Sequence, residues 1–229
     1  MPPTAVAAQL LALLVPPLCV ICRAPVRPAG EVMCAGCRRG LPWLAGARCR
    51  RCGLPAPCRD CPARGAAFDA AWAPLAYDGA ARRAVTALKF AGALALADAM
   101  AAQMASAAPA ALVADATLVP VPLHPARLRR RGFNQAELLA RSLSPRLRLP
   151  LNRCLTRRGP ASRQLGAGRT VRLAPARIEV AVSAPAPIRT LLVDDVHTTG
   201  ATLDACARAL RAGGARHVDC LTYTRALAG

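Results

Sequence analysis

Residues 191–202 read LLVDDVHTTGAT. An apolar run meets two adjacent carboxylates, Asp194 and Asp195, and a short loop of His197, Thr198, Thr199, Gly200, Ala201 and Thr202 follows. The pattern predicts a strand over 190–196 and a helix over 200–212, closed by Gly213–Gly214. A loop between a buried strand and a helix can turn several backbone N–H groups toward one anion. Glycine permits the close approach, threonine hydroxyls add donors, and the helix adds its positive end. The GxxxxGK[ST] pattern of a P-loop is missing, and so is GxGxxG. A phosphate held here would leave Asp194 and Asp195 beside a sugar, where carboxylates accept hydrogen bonds from vicinal hydroxyls. The plainer alternative is an ordinary strand–turn–helix with a polar N-cap.

Working outward, 68–77 reads as extended, with a turn at Asp78–Gly79. Helices are expected over 80–90 and from about Ala93 to Ala107. TLVPVP (117–122) reads as a short strand, LHPARLRRRG (123–132) as a loop, and FNQAELLARSL (133–143) as a helix with an i,i+4 Glu137–Arg141 pair. An edge strand is expected over 151–155, a mobile basic loop over 157–172, and strands over 178–182 and 217–226. Strands alternating with helices predict an α/β fold, a mostly parallel sheet flanked by helices. In such sheets ligands bind beyond the carboxyl ends of the strands, so the loops after LLVDD and LVPVP should line one crevice.

The second of these loops carries Arg127, Arg129, Arg130 and Arg131. Like charges this close are costly unless an anion compensates them. A solvated basic loop is the competing reading. Lys89 is the only lysine in the chain, which suggests a position where a compact charge is wanted. His124 and His197 are read as structural or orienting residues.

The chain has 229 residues, enough for one core and a small second module. Its formal net charge of +19 suggests a polyanionic partner, nucleic acid or a phosphate-rich substrate. Heavy use of alanine, arginine and proline fits a GC-rich coding bias as well. The apolar stretch Ala5–Leu14 is too short to span a bilayer and reads as a short amphipathic or buried helix rather than an export signal. No other stretch could cross a membrane, and the expected location is the cytoplasm.

Eight of the eleven cysteines form four C-x2-C pairs: Cys19/Cys22, Cys34/Cys37, Cys49/Cys52 and Cys58/Cys61. Two thiolates at this spacing converge on one metal from a tight knuckle, and a second knuckle closes a tetrahedral site. Four knuckles make two structural Zn2+ sites, which would supply the folding energy of a region poor in large apolar residues. The simplest pairing is sequential, and an interleaved one stays open. A disulfide framework is the weaker reading, because no convincing export signal precedes the pairs. A redox role is weaker still. Cys154, Cys206 and Cys220 are expected to be buried as small hydrophobes. The division is thus a zinc-ribbon module over 1–63 and an α/β domain over 64–229.

The LLVDDVHTTGAT stretch resembles the PRPP-binding motif of type I phosphoribosyltransferases. That resemblance implies Thr198–Thr202 on the ribose 5-phosphate and Asp194 and Asp195 on the ribose as the catalytic acids. VPVPLHPARLRRRGFNQAELLA resembles the signature of the ComF family. The paired zinc ribbons and the LKFAG element (88–92) fit the same family, so the resemblance runs from about Pro16 to Thr224. It implies Lys89, Arg130 and Arg131 on pyrophosphate with Mg2+, and a hood loop with Gln164 and Arg169. Arg172 stands where that loop's pattern has asparagine. It further implies a role in natural transformation, with single-stranded DNA and competence-machinery proteins as partners. Two functions are therefore expected to compete: a phosphoribosyltransferase, or a non-catalytic single-stranded DNA-binding module with a degenerate transferase domain.

Overall fold

A computed structural model of the chain describes residues 17–28, 30–90, 95–158 and 178–227. The expected helix at Ala5–Leu14 lies outside these residues, as do Gln164, Arg169, Arg172 and most of the expected basic loop.

Five parallel strands form the central sheet. β1 (Ala70–Trp72) and β2 (Leu75–Ala76) both pair along β7 (His217–Arg225), which pairs with β6 (Arg189–His197), which pairs with β3 (Thr117–Pro120). β6 and β7 are buried on both faces along nearly their whole length, as strands are when helices cover both sides of a sheet. One face carries α2 (Gly79–Phe90), α3 (Ala95–Ala107) and α6 (Gln135–Leu147). Val85, Leu88, Leu96, Met100, Leu139 and Leu143 pack there on Leu191, Val193, Leu221 and Tyr223. The other face carries α7 (Ala201–Ala212), with Leu203, Cys206 and Leu210 on Leu192, Val218 and Cys220. Cys154, Cys206 and Cys220 are buried small hydrophobes, as expected.

Two expectations change. Residues 123–132 are not a loop: Pro125–Arg131 is a helix, α5. His124 caps its first turn, accepting from the Ala126 N–H, and Gly132 ends it with φ +82°. Proline at the first helical position and glycine just past the last one are the start and stop of a helix, a signal masked here by the run of arginines. The strand near 151–155 also shifts. Leu151 makes only a bridge to Leu118, while β4 (Leu155–Arg158) pairs antiparallel with β5 (Glu179–Val182) in a separate two-stranded sheet. A short helix, α4 (Ala110–Val113), was not expected. Helix α6 runs on to Leu147 through Pro145.

Among its described residues, the N-terminal module contains one short helix, α1 (Ala35–Arg39), and knuckles tied by bridges at Leu18–Pro25 and Arg48–Pro55. Its first half, with Cys19, Val26, Met33 and Leu41, joins the α2–α3–α6 core. Its second half, with Cys52 and Ala63, joins the α7 core. Arg48 lies over the Trp72 ring, 3.2 Å from its centroid, and fixes the second half against β1.

Candidate functional site: two acids, an anion loop and two thiolate clusters

Both acids lie inside β6 rather than beyond its end. Asp194 is paired in register with Thr222, and the strand continues to His197. Successive residues of a strand face opposite sides, so the acids part company. Asp195 shares the face of Leu191 and Val193 and meets Lys89, at the end of α2. Its Oδ2 lies 2.6 Å from the Lys89 ammonium, off the direction of a hydrogen bond. Asp194 shares the face of Leu192, toward the buried Cys206 thiol and the Arg157 guanidinium. Its Oδ1 accepts from the Asp195 N–H at 2.8 Å. Burial, then the charge of Asp195, hold the Asp194 carboxyl well above the usual carboxylate range.

The loop after β6 turns at Gly200, which has φ +84° and caps α7. A Cβ there would sit 2.9 Å from His197 Nε2, so the turn needs glycine twice over. Thr198, Thr199 and Ala201 are exposed, Thr202 is half-buried, and the Ala201 N–H leans on Thr199 Oγ1 at 3.4 Å. Among the described residues, the N–H groups of Thr199, Gly200 and Thr202 donate to no protein group. A helix start with such donors suits an anion. His197 is buried against Phe68, edge to face at 6.0 Å. Burial, helped by the charge of Arg225, lowers its pKa to about 4, so the imidazole is neutral near pH 7.

Lys89 sits on Asp195, and the expected pyrophosphate arginines sit on α5. Arg131 is half-buried, bonds Gln135 Oε1 at 2.5 Å, lies over Phe90 at 5.4 Å and feels the charge of Asp195. Arg127, Arg129 and Arg130 are exposed. Arg157 was not singled out from the sequence, because it opened a segment read only as basic. Arg225 was missed as well; its signal is a charged residue closing an apolar strand pattern.

The cysteines assort sequentially. Cys19, Cys22, Cys34 and Cys37 form one cluster and Cys49, Cys52, Cys58 and Cys61 the other, with all sulfurs of each within 4.8 Å of one another. Sγ–Sγ separations of 3.6 Å (Cys22–Cys34), 3.8 Å (Cys49–Cys61) and 3.6 Å (Cys52–Cys58) match the roughly 3.8 Å edge of a tetrahedron with 2.3 Å Zn–S bonds. The two sites therefore fit two structural Zn2+ ions. The knuckle backbones favour the thiolate at the first cysteine of each cluster, while burial pushes the Cys37 and Cys52 thiols up. Burial opposes ionisation of Cys19, but the amides of Cys34, Cys22 and Ile21 outweigh it and bring the thiol to about 6. The Cys52 amide does most to lower Cys49 to about 7.

The architecture defines the class of protein: a parallel α/β core preceded by a double zinc ribbon. Residues 10–67 match the family model described as a double zinc ribbon domain. The chain is 30% identical over 208 residues to competence protein ComFC of Bacillus subtilis, spanning 85% of each chain. It is 38% identical over 114 residues to competence protein F of Haemophilus influenzae, covering 48% of this chain and 50% of that one. The chain belongs to the ComF family. Among the described residues, no helix is long and apolar enough to cross a membrane.

Proposed function

We propose that the crevice between the ends of β3 and β6 binds PRPP. The observation that carries this reading is the junction of two acids with an anion loop held open by Gly200. Thr198, Thr199, Gly200, Ala201 and Thr202 take the 5-phosphate, and Asp194 and Asp195 take the ribose hydroxyls. Arg130 and Arg131 take the pyrophosphate. Lys89 joins them by leaving Asp195 when the sugar arrives. Mg2+ bound to the phosphate oxygens would supply charge neutralisation on the leaving group.

In the catalytic form of this proposal, a nucleophile bonds to C1 of the ribose as the C1–O bond to pyrophosphate breaks. The bonding pair leaves with the pyrophosphate. Catalysis rests on positioning and on charge. Asp194 and Asp195 hold the sugar, and Asp195, released from Lys89, faces the positive charge that grows at C1. His197, buried and neutral, orients the loop rather than carrying a proton.

The names of the curated relatives place those proteins in competence, and we extend that role to this chain. It would act in the cytoplasm on incoming single-stranded DNA, alongside competence-machinery proteins. Residues 1–63 form the ribbon module and 64–229 the PRPP-binding domain. The three exposed arginines of α5 and the +19 charge favour a second reading, a DNA-binding module without turnover.

One comparison tests the proposal: PRPP·Mg2+ binding and pyrophosphate release by the wild type and by Asp194→Ala/Asp195→Ala. Binding that falls by tenfold or more in the variant supports the site. Release of pyrophosphate by the wild type alone supports turnover. Equal behaviour of the two proteins would overturn the PRPP reading.

A further inference from the structure

Arg225 ends β7 and is only 3% exposed. Among the described residues, no carboxylate pairs with it. Its hydrogen bonds go to backbone carbonyls instead. Nε donates to Cys52 O at 2.8 Å. Nη1 donates to His197 O at 2.9 Å, Thr198 O at 2.5 Å and Ala226 O at 2.8 Å. Cys52 belongs to the second thiolate cluster. His197 and Thr198 open the anion loop. One side chain thus bridges a zinc knuckle and the seat proposed for the 5-phosphate.

The surroundings are built for this bridge. Gly53, directly after Cys52, has φ +71°. A Cβ at Gly53 would stand 3.2 Å from Ala71 O and 3.9 Å from Arg225 Cδ. Glycine there lets the second ribbon close on β1 and on the arginine stem together. A second tie lies across the loop, where Asp204 Oδ1 of α7 accepts from the Ala67 N–H at 2.7 Å. Between the two ties, Pro62 and Ala63 of the ribbon, Gly65 just after it, and Thr199, Gly200 and Ala201 of the loop line one cavity of about 210 Å³. Ribbon and loop are two walls of the same space.

Charge explains why metal matters. A buried guanidinium is costly without a counter-charge, and carbonyl dipoles offset only part of that cost. A zinc ion with four thiolates carries a net charge of −2, and the thiolates of Cys52, Cys58 and Cys61 lie close enough to act on Arg225. The first cluster packs on the opposite face of the sheet.

We infer that Arg225 is a positioning residue through which the second zinc centre, and not the first, sets the conformation of the 197–202 loop. Its consequence for ligand affinity rests on the phosphate reading given above. Coupling of this kind is reciprocal. Ligand in the loop therefore slows zinc loss from the second centre and leaves the first unchanged.

The test uses the full-length zinc-loaded protein and four chains: wild type, Arg225→Lys, Cys58→Ser and Cys34→Ser. Amide hydrogen exchange over 197–203 reads the loop directly. Calorimetry with ribose 5-phosphate and with PRPP reads affinity, and a chromogenic chelator reads zinc release. Arg225→Lys keeps the charge but cannot span the carbonyls. It and Cys58→Ser should each speed loop exchange by about tenfold, while Cys34→Ser stays within about twofold, the coupling range being roughly 5- to 150-fold. The inference is overturned if Cys34→Ser and Cys58→Ser loosen the loop equally, or if Arg225→Lys exchanges as the wild type does. Should Arg225→Lys not fold, the two cysteine variants decide by themselves. If the loop is coupled to zinc but neither sugar phosphate binds the wild type, the phosphate reading fails and the coupling stands.

Discussion

One peptide bond separates Asp194 from Asp195, yet the pleat puts them in opposite surroundings. The DD motif was legible in the sequence because it broke an apolar run. The partners were not, because Lys89 and Arg157 reach the acids from distant parts of the chain. The Lys89–Asp195 pair is largely buried. Removing one partner leaves the other uncompensated, so Lys89→Met should cost about 1–3 kcal/mol in urea unfolding, and adding Asp195→Asn should return most of it. His197 gives a pH prediction. Its folded pKa of about 4 lies below its ordinary 6.5, so the unfolded chain binds more protons between those values. Stability contributed by the neutral ring is full above pH 6.5 and is lost as pH falls toward 4, by roughly 3 kcal/mol at most. Acid also weakens zinc binding, because thiolate ligands must be deprotonated. The measurement is therefore the difference between the melting curves of wild type and His197→Asn, which should shrink as the pH is lowered. Asp194 works the other way. Its raised pKa means that the native state holds the proton more tightly, so its contribution falls as pH rises above about 3.8. Asp194→Asn should raise the Tm near pH 7, at ~2–4 °C per kcal/mol, while weakening PRPP binding.

At the scale of elements, the strand–loop–helix unit was readable because hydrophobic period, turn glycine and helix stop agreed. Gly200→Ala tests that unit. The αL backbone and the 2.9 Å clash with His197 should cost about 1–3 kcal/mol and cut ribose 5-phosphate affinity at least tenfold by calorimetry. Helix α5 was unreadable for a physical reason: its arginines hide the apolar period, and none of its residues is buried. Its role in DNA binding can still be measured. Replacing Arg127, Arg129 and Arg130 with glutamine should lower the slope of log affinity against log salt for single-stranded DNA by about 2, at ~0.7 per phosphate contact. An unchanged slope would remove α5 from the DNA surface.

At the scale of the molecule, C-x2-C spacing announced two metal sites but not where their peptides pack. The first ribbon joins one core and the second ribbon the other, an outcome set by a few small apolar residues with no period of their own. Metal removal should therefore be felt beyond the ribbons. Strong chelation should lower the Tm of the whole chain, and two zinc ions per chain should be recovered by elemental analysis.

The order of strands across the sheet also has a temporal side. β1 has no place until β7 exists: Asp69, beside β1, binds the Val218 amide 149 residues further on. The thiolate clusters, by contrast, close within short loops. During synthesis at the ribosome the ribbons can fold as soon as zinc is met, while β1 waits unpaired for most of translation. A nascent chain starved of zinc would expose both at once, so metal supply should govern how much of this protein escapes aggregation before its sheet is complete.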